Sequence, residues 1–408
     1  MNSNFARKQK IRLSLISLIS FLLFADLITM IYLQSPIYTL IQYVCLMIVA
    51  GYVFFKIKYI KTQDLLFLVA MFMMVICIVI SSCINYNNSD ALRETVYYAM
   101  LIFVSGVFLI ESGNMGKLDR ALLGGKRYLL IVLVLNDFLM VVMPRTFYNI
   151  SGRNIGTTLL GNKFNVSYAH LFLMFLLMFE EKNEKRRSKK IIIYALLMSI
   201  LCIFIDCNTT LLACWVFVML YFLPEYLKKI ASKPIVFIAV FFLSGFLLLT
   251  FSNILSWKPI QYFIVDILHR DSTLTGRMQV YSYIYSIISQ KKWWGYGYGT
   301  NIVLKTSKWY ANAQNALWDF IICYGSITAI FFIIYMVLSV CRYFKSSLNN
   351  IKKTNWIIFS MLYVYIFIGI GEITYNKQFF FFIALLWAAC LGNQNYILKN
   401  NRKKVRLR

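Results

Sequence analysis

Two arginines in one polar segment have the side-chain chemistry to bind a phosphate group. Arg270 and Arg277 both lie in "HRDSTLTGRMQVYSYIYSIISQ", which covers positions 269 to 290. A guanidinium carries a planar fork of donors that binds two phosphate oxygens at once, whereas an ammonium acts as a point charge. We interpret this segment as part of an anion-binding site.

The residues around Arg277 predict a helix that begins beside it. Ser272, Thr273 or Thr275 can cap a helix N-terminus. Apolar side chains then recur at spacings of three and four, at Met278, Tyr281, Ile284, Tyr285 and Ile288. An arginine in the first turn would face the same position as the positive end of the helix, where anions bind readily.

An aromatic, glycine-rich stretch follows this helix. The sequence is "WWGYGYGTN", with alternate glycines that permit a tight backbone and aromatic residues between them. Trp294, Tyr296 and Tyr298, together with Trp293, could stack on the faces of sugar rings. They could equally form an aromatic belt at a membrane surface.

The composition indicates that this chain is associated with a membrane. The chain has 408 residues, of which 60% are hydrophobic and 14% charged, with a mean hydropathy of +0.67 and a net charge of +26. Soluble proteins carry about 25% charged residues. High basicity can indicate a nucleic-acid partner. Here the basic residues form small clusters beside apolar runs, so we expect a lipid bilayer as partner and no nucleic acid.

About twelve apolar runs are long enough to cross hydrocarbon as helices, which predicts an all-α integral membrane protein. We place the runs at 12–33, 37–55, 65–84, 93–111, 128–143, 165–180, 191–206, 209–227, 234–252, 315–341, 356–374 and 378–397.

The basic clusters indicate the topology. They follow every second run, and "EEKNEKRRSKK" (180–190) and the terminal "KNNRKKVRLR" are the densest. The positive-inside rule then places both termini in the cytoplasm. The chain forms one membrane domain over 1–408, with outer loops at 144–164 and at 253–312. The longer loop lies between the ninth and tenth spans and carries the candidate site.

Both outer loops contain cations where this rule depletes them. The cations are Arg145, Arg153, Lys163, Lys258, Arg270, Arg277, Lys291, Lys292, Lys305 and Lys308. A diphosphate on a lipid carrier would present its oxygens at this depth. The lysines can also be read as a solvated rim against lipid headgroups.

Several motifs in order resemble a known superfamily. The "TGR" and its helix, then "GYGYGTN", then "NAQNALWDFIICYGSITAIFF" (312–332) are similar to the O-antigen ligase and Wzy-type polysaccharide polymerase superfamily. The upstream "SGRNIGTTLLGNKFNVSYAHLFLMFLL" (151–177) also resembles that superfamily. The motifs cover about a quarter of the chain, and each motif alone is weak.

One residue departs from the ligase pattern. Gln314 stands where ligases of the superfamily usually carry histidine, and Asn315 matches the asparagine that follows. The change favours a polymerase over a ligase and removes a histidine base from that position.

The resemblance implies a GT-C-like glycosyltransferase in a bacterial plasma membrane. Such a polymerase transfers a growing capsular or O-antigen glycan from polyprenyl diphosphate to a new lipid-linked repeat unit on the outer face. A flippase and a chain-length regulator of the same pathway are the expected partners. The alternatives are an O-antigen-type ligase, a lipid-linked oligosaccharide flippase or other transporter, and a structural scaffold.

The resemblance and the residue types together suggest roles. Arg277 and Arg270 are expected to clamp the leaving diphosphate. Arg153 is expected to act as a second clamp or to bind the other lipid substrate. Asp271 and Glu372 are the candidates for a general base. We expect Gln314, Asn315 and the loop aromatics to bind substrate.

We expect no metal and no cofactor. The outer loops hold no DxD sequence, and the two histidines have no metal-ligand spacing.

Overall fold

The computed structural model describes residues 14–33, 35–86, 89–144, 158–255, 262, 277–308, 310–348 and 352–406. Most of these residues are helical, and within these ranges no strand forms beyond one isolated bridge between Thr158 and Gly161. The α-helices are α1 (Leu15–Leu27), α2 (Pro36–Lys56), α3 (Leu65–Ile84), α4 (Ser89–Asn114), α5 (Leu118–Val142), α6 (Lys163–Glu180), α7 (Glu184–Phe204), α8 (Asn208–Phe222), α9 (Glu225–Ala231), α10 (Pro234–Leu255), α11 (Arg277–Gln290), α12 (Ile302–Ser307), α13 (Ala316–Ser347), α14 (Lys353–Ile368) and α15 (Lys377–Arg406).

Each apolar run identified in the sequence overlaps a helix of the described residues. Three predicted spans extend well beyond their helices: 12–33, where α1 ends at Leu27, 356–374, where α14 ends at Ile368, and 209–227. The helix α8 ends at Phe222, and the chain then bends by 115° into α9. Pro224 explains the bend, because proline has no amide hydrogen to donate and disfavours helical backbone in the residue before it.

Four helices in the described part are long and apolar enough to cross a membrane, or five if the bent pair α8–α9 is one span. Four shorter apolar helices accompany them: Leu15–Leu27, Pro234–Leu247, Lys353–Ile368 and Lys377–Leu391. These helices are compatible with a multi-pass membrane protein. The count of twelve spans, the GT-C-like architecture and the cytoplasmic termini stay predictions.

Burial separates the helices into an inner and an outer set. The side chains of α15 from Phe379 to Leu391 are almost all buried, as expected for a helix that is apolar all round. The helix α2 instead exposes large apolar side chains such as Met47 and Phe55, which are 66% and 77% exposed. Such a surface is suited to contact with lipid.

Ion pairs mark one end of the helix bundle, which we call the basic face. Lys126 pairs with Glu180, and Lys353 pairs with Glu184. The opposite end carries residues 291–315, and we call it the loop face. The Nζ of Lys163 lies 3.3 Å from the Asp206 carboxylate on that face.

The packing of α1 against α5 requires a glycine. A Cβ on Gly124 would overlap the carbonyl oxygen of Ser17, whereas a Cβ on Gly51 in α2 would meet nothing within 4 Å. We expect Gly124→Ala to destabilise the protein by about 1–3 kcal/mol, because overpacking displaces one helix from the other. The midpoint of thermal unfolding in detergent measures this change.

Gly51→Ala is the matched control. Because alanine has the higher helix propensity and the site is open, this variant should unfold at or slightly above the wild-type temperature. Equal midpoints for the two variants would contradict the close approach of α1 and α5.

Candidate functional site

The central feature of the loop face is a break in α13. Gly325 has φ +78° and ψ 173°, which interrupts the helix and frees carbonyl groups in the turn before it. Two of these carbonyl groups, those of Ile322 and Cys323, accept hydrogen bonds from residues 291–301, which we call the GYG loop. Tyr296 N donates to Ile322 O over 2.9 Å, and Gly297 N donates to Cys323 O over 2.8 Å.

The amide groups after the break are also paired with this loop. Ser326 N donates to Lys292 O over 2.9 Å, and Ile327 N donates to Trp293 O over 3.3 Å. The GYG loop therefore replaces part of the hydrogen bonding that an unbroken helix would make for itself. Buried main-chain groups are costly to leave unpaired, so these bonds hold the loop in place.

The helix α3 holds the GYG loop from its other side. The Ser81 hydroxyl lies 3.0 Å from Cys323 O and also bonds Trp294 O, so it bridges the loop and α13. Asn85 Nδ2 donates to Gly295 O over 3.0 Å. Three segments that are distant in sequence meet at this point.

The aromatic residues of the GYG loop take part in these contacts. Tyr296 donates its hydroxyl to Ile287 O over 3.0 Å, which ties the loop to α11. Tyr298 donates its amide to the Ser82 hydroxyl over 3.0 Å, and its ring centroid lies 5.3 Å from that of Tyr98. The substrate-binding role predicted for Trp294, Tyr296 and Tyr298 stays a prediction.

The helix predicted after the "TGR" motif is present as α11, Arg277–Gln290, and its predicted caps Ser272, Thr273 and Thr275 lie outside the described residues. Its buried face includes Tyr281 and Ile284, together with Val280 and Ile287. Tyr285 was expected on this face and is instead 85% exposed. The buried residues recur at the spacing of a helix, and position 285 lies just outside the face that they form.

Tyr281 joins α11 to the Gln314–Asn315 pair. Its hydroxyl donates to Gln314 O over 2.9 Å. Position 277 is one helical turn before Tyr281, so these two positions share a helix face. The docking of α11 therefore brings the start of the "TGR" helix toward Gln314.

Gln314 and Asn315 form the turn that starts α13. Gln314 has φ +50°, and its side-chain amide donates to Asn312 Oδ1 over 2.5 Å. Asn315 is fully buried and caps the helix, accepting at Oδ1 from the amides of Leu317 and Trp318 over 3.1 and 3.2 Å.

Asn315 also fixes two neighbouring segments. Its Nδ2 lies 3.2 Å from Ser244 O in α10 and 3.1 Å from Ile370 O after α14. Asp319, one turn along α13, accepts from Ala313 N over 3.0 Å. The contacts of Asn315 are with its own protein, which favours a positioning role, and its predicted substrate contact stays untested.

A cavity of about 690 Å³, the polar cavity, opens beside this turn. Glu372, in the connection between α14 and α15, is 8% exposed and lines the cavity together with Gln314. The Lys163–Asp206 ion pair lies on its wall. Its other polar lining residues include Asn162, Asn165, Asn208, Thr209, Tyr310, Asn312, Asn376 and Gln378.

A second cavity, of about 450 Å³, adjoins the first and shares Asn165, Asn376 and Gln378 with it. We call it the tyrosine cavity, because its walls carry Tyr38, Tyr43, Tyr97, Tyr98 and Tyr298. Sequence reasoning did not identify this cavity. The available signals were Asp26, a charged residue within an apolar run, and Lys377, which directly precedes another run.

The structure brings together some of the predicted site residues. Gln314 and Glu372 share the polar cavity, and Tyr298 lines the neighbouring one. Arg153, Arg270 and Asp271 lie outside the described residues. Of Arg277, only the main chain is described.

Within the described ranges, no three His, Cys, Asp or Glu side chains group closely enough to hold a metal ion. No family model matches the chain, and no curated protein matches it. The resemblance to the polymerase and ligase superfamily therefore rests on its motif residues.

Two glycines of the GYG loop allow a matched test of the loop insertion. Gly295 and Gly299 have φ +65° and +67°, so alanine is strained at both. A Cβ on Gly295 would lie 2.6 Å from Ile322 O, whereas one on Gly299 would meet nothing within 4 Å. We expect Gly295→Ala to expel the loop from the break in α13, and Gly299→Ala to cost only about 1–2 kcal/mol.

The rate of trypsin cleavage after Lys292 measures whether the loop is bound to α13. In the bound loop, Lys292 O accepts a hydrogen bond from Ser326 N, which protects this peptide bond. Cleavage should be much faster in Gly295→Ala than in Gly299→Ala. Equal rates would mean that the loop does not depend on its insertion into α13.

Proposed function

We propose that this protein is a membrane glycosyltransferase that polymerises lipid-linked oligosaccharide repeat units. It takes the growing glycan from a polyprenyl diphosphate and moves it to the next lipid-linked unit. We propose the outer leaflet of a bacterial plasma membrane as its site of action, with a flippase and a chain-length regulator as pathway partners.

One observation carries the proposal: α11 docks onto the turn that lines the polar cavity with Glu372. Tyr281 in α11 bonds Gln314 O, and Gln314 and Glu372 both line the cavity. The cavity thus adjoins α11, the helix that contains the arginine of "TGR". A diphosphate clamp and a carboxylate base are the two groups that this transfer uses.

The proposed reaction exchanges one bond to an anomeric carbon for another. The bond between that carbon and a diphosphate oxygen breaks, and the polyprenyl diphosphate leaves with both electrons. A bond forms from the same carbon to a hydroxyl oxygen of the acceptor sugar. Glu372 accepts the hydroxyl proton, and Arg277 stabilises the negative charge that develops on the leaving group.

The break in α13 also bears on the transporter alternative. Broken helices are typical of secondary transporters, where the unwound backbone faces the substrate. Here the freed carbonyls of Ile322 and Cys323 bind the GYG loop instead. This arrangement favours an enzyme with a fixed site.

The clamp can be tested at Arg277. Arg277→Ala should lower polymerisation by about 10²–10³-fold, as expected when one preorganised donor to a developing anion is lost. Arg277→Lys should also be poor, because lysine keeps the charge and loses the planar fork. Polymerisation is measured as long-chain glycan formed per amount of membrane-inserted protein.

Lys305→Ala is the control, since Lys305 is an exposed cation in the same predicted outer loop. It should stay close to wild type. Full activity in Arg277→Lys would reduce Arg277 to a general electrostatic contribution, and full activity in Arg277→Ala would end the clamp hypothesis.

The reaction class can be tested by deleting the gene and separating the glycans and the lipid-linked pool on a gel. Polymerisation predicts single repeat units on the outer leaflet and no long chains. Long chains that stay on the lipid carrier would indicate a ligase. Units held on the cytoplasmic leaflet would indicate a flippase.

A further inference from the structure

An apolar groove runs down the outside of the bundle between α2 and α4. It consists of two adjoining cavities of about 490 and 470 Å³, and Tyr43 and Arg93 line both. The larger cavity is otherwise lined mainly by apolar side chains, among them Leu46, Met47, Val96 and Met100. Met47 is 66% exposed, so the groove is open to the surrounding lipid.

The groove covers the part of α2 from Pro36 at the loop face to Met47. At 1.5 Å of rise per residue this distance is about 16 Å, or roughly half of a hydrocarbon core of about 30 Å. The groove therefore has the depth of one leaflet.

Arg93 stands where the groove meets the tyrosine cavity, and it lines both. Tyr43 and Tyr97 flank the same junction, with ring centroids 5.2 Å apart. Along the protein surface, the apolar groove is thus followed by the Arg93 cation and then by the tyrosine cavity.

The tyrosine cavity has the groups that bind a saccharide. Aromatic faces stack on sugar rings, while Glu94, Lys377 and Gln378 offer hydrogen-bonding groups. The Tyr298 hydroxyl is a donor at neutral pH, as tyrosine hydroxyls ordinarily are, and burial with the nearby Glu94 raises its pKa further.

One buried donor that lines this cavity, Nε2 of Gln42, lacks a hydrogen-bond partner among the described residues. Next to the cavity, Asp26 is fully buried and contacts the lining residues Tyr97 and Lys377. Asp26 accepts from the Tyr97 hydroxyl at Oδ1 over 2.8 Å, and Lys377 Nζ lies 2.6 Å from Asp26 O. A ligand hydroxyl can accept a hydrogen bond from the Gln42 amide.

We propose that the groove and the tyrosine cavity hold the acceptor substrate, a saccharide joined through phosphate to a polyprenyl chain. The chain lies between α2 and α4, the phosphate lies at Arg93, and the sugars lie against Tyr97 and Tyr298. This inference rests on the proposed polymerase function, since it assigns that reaction's second substrate.

The tyrosine cavity and the polar cavity share a wall, which places the proposed acceptor site next to Glu372. Asn165, Asn376 and Gln378 line both the tyrosine cavity and the polar cavity. An acceptor sugar in the tyrosine cavity can therefore reach toward Glu372 past these amides. Donor and acceptor then enter from different sides of the loop face.

The test is photolabelling of the purified full-length protein in detergent. The probe is farnesyl-diphosphate-N-acetylglucosamine with a diazirine at the end of its chain, and labelled peptides are mapped by mass spectrometry. We expect labels in α2 and α4 around Met47 and Met100. Met47→Trp should reduce labelling by about tenfold, the loss expected when about two methylene groups leave apolar contact.

Met219→Trp is the matched control, because Met219 in α8 is another lipid-exposed methionine, at 58% exposure. It should leave labelling unchanged. Gln42→Leu should weaken labelling by the sugar-bearing probe, but not by the same probe without the sugar.

Labelling that is insensitive to Met47→Trp, or that maps to α7 and α8, overturns the acceptor site even if the gene deletion confirms polymerisation. If the deleted strain still makes long chains while the labelling follows the expected pattern, the site for a lipid-linked saccharide stands and the polymerase proposal fails. The two hypotheses can therefore fail separately.

Discussion

Inside a bilayer the main chain has no water to bind, so each interruption of a helix must find its hydrogen-bond partners within the protein. The break at Gly325 meets this constraint with the GYG loop, which bonds the freed groups on both sides of the break. Glycine is needed at the contact, because a Cβ on Gly325 would overlap Trp293 O. The position of the loop is therefore determined by the main chain of α13.

The rest of the loop face is arranged around that insertion. Ser81 bridges the GYG loop and α13, and Tyr296 connects the loop to α11. Tyr281 in α11 then bonds Gln314 O at the start of α13. The GYG loop, α11 and α13 are thus each bonded to the other two. These contacts couple the position of α11 to the wall of the polar cavity.

The loop face has two adjoining cavities, an arrangement that suits a reaction between two large substrates. The polar cavity contains Glu372 and the Gln314 turn, and the tyrosine cavity opens toward the apolar groove at Arg93. Amide side chains form their common wall. Under the proposed function the protein joins two lipid-linked molecules, whose chains need separate approaches, and the groove is the approach that we propose for one of them.

The positions of the helices followed from the sequence, because a helix satisfies its main chain locally and an apolar run is a local property. The presence of helix α11 was likewise readable from the spacing of its apolar residues, whereas the capping role of Asn315 was recognised only in the structure. The bend after Phe222 also has a local cause in Pro224. The exposure of Tyr285 depended on which side of α11 packs against the protein. Only the tertiary structure decided that the GYG loop enters α13 and that Asp26 meets Lys377, because these partners are far apart in sequence and no local pattern encodes their contact.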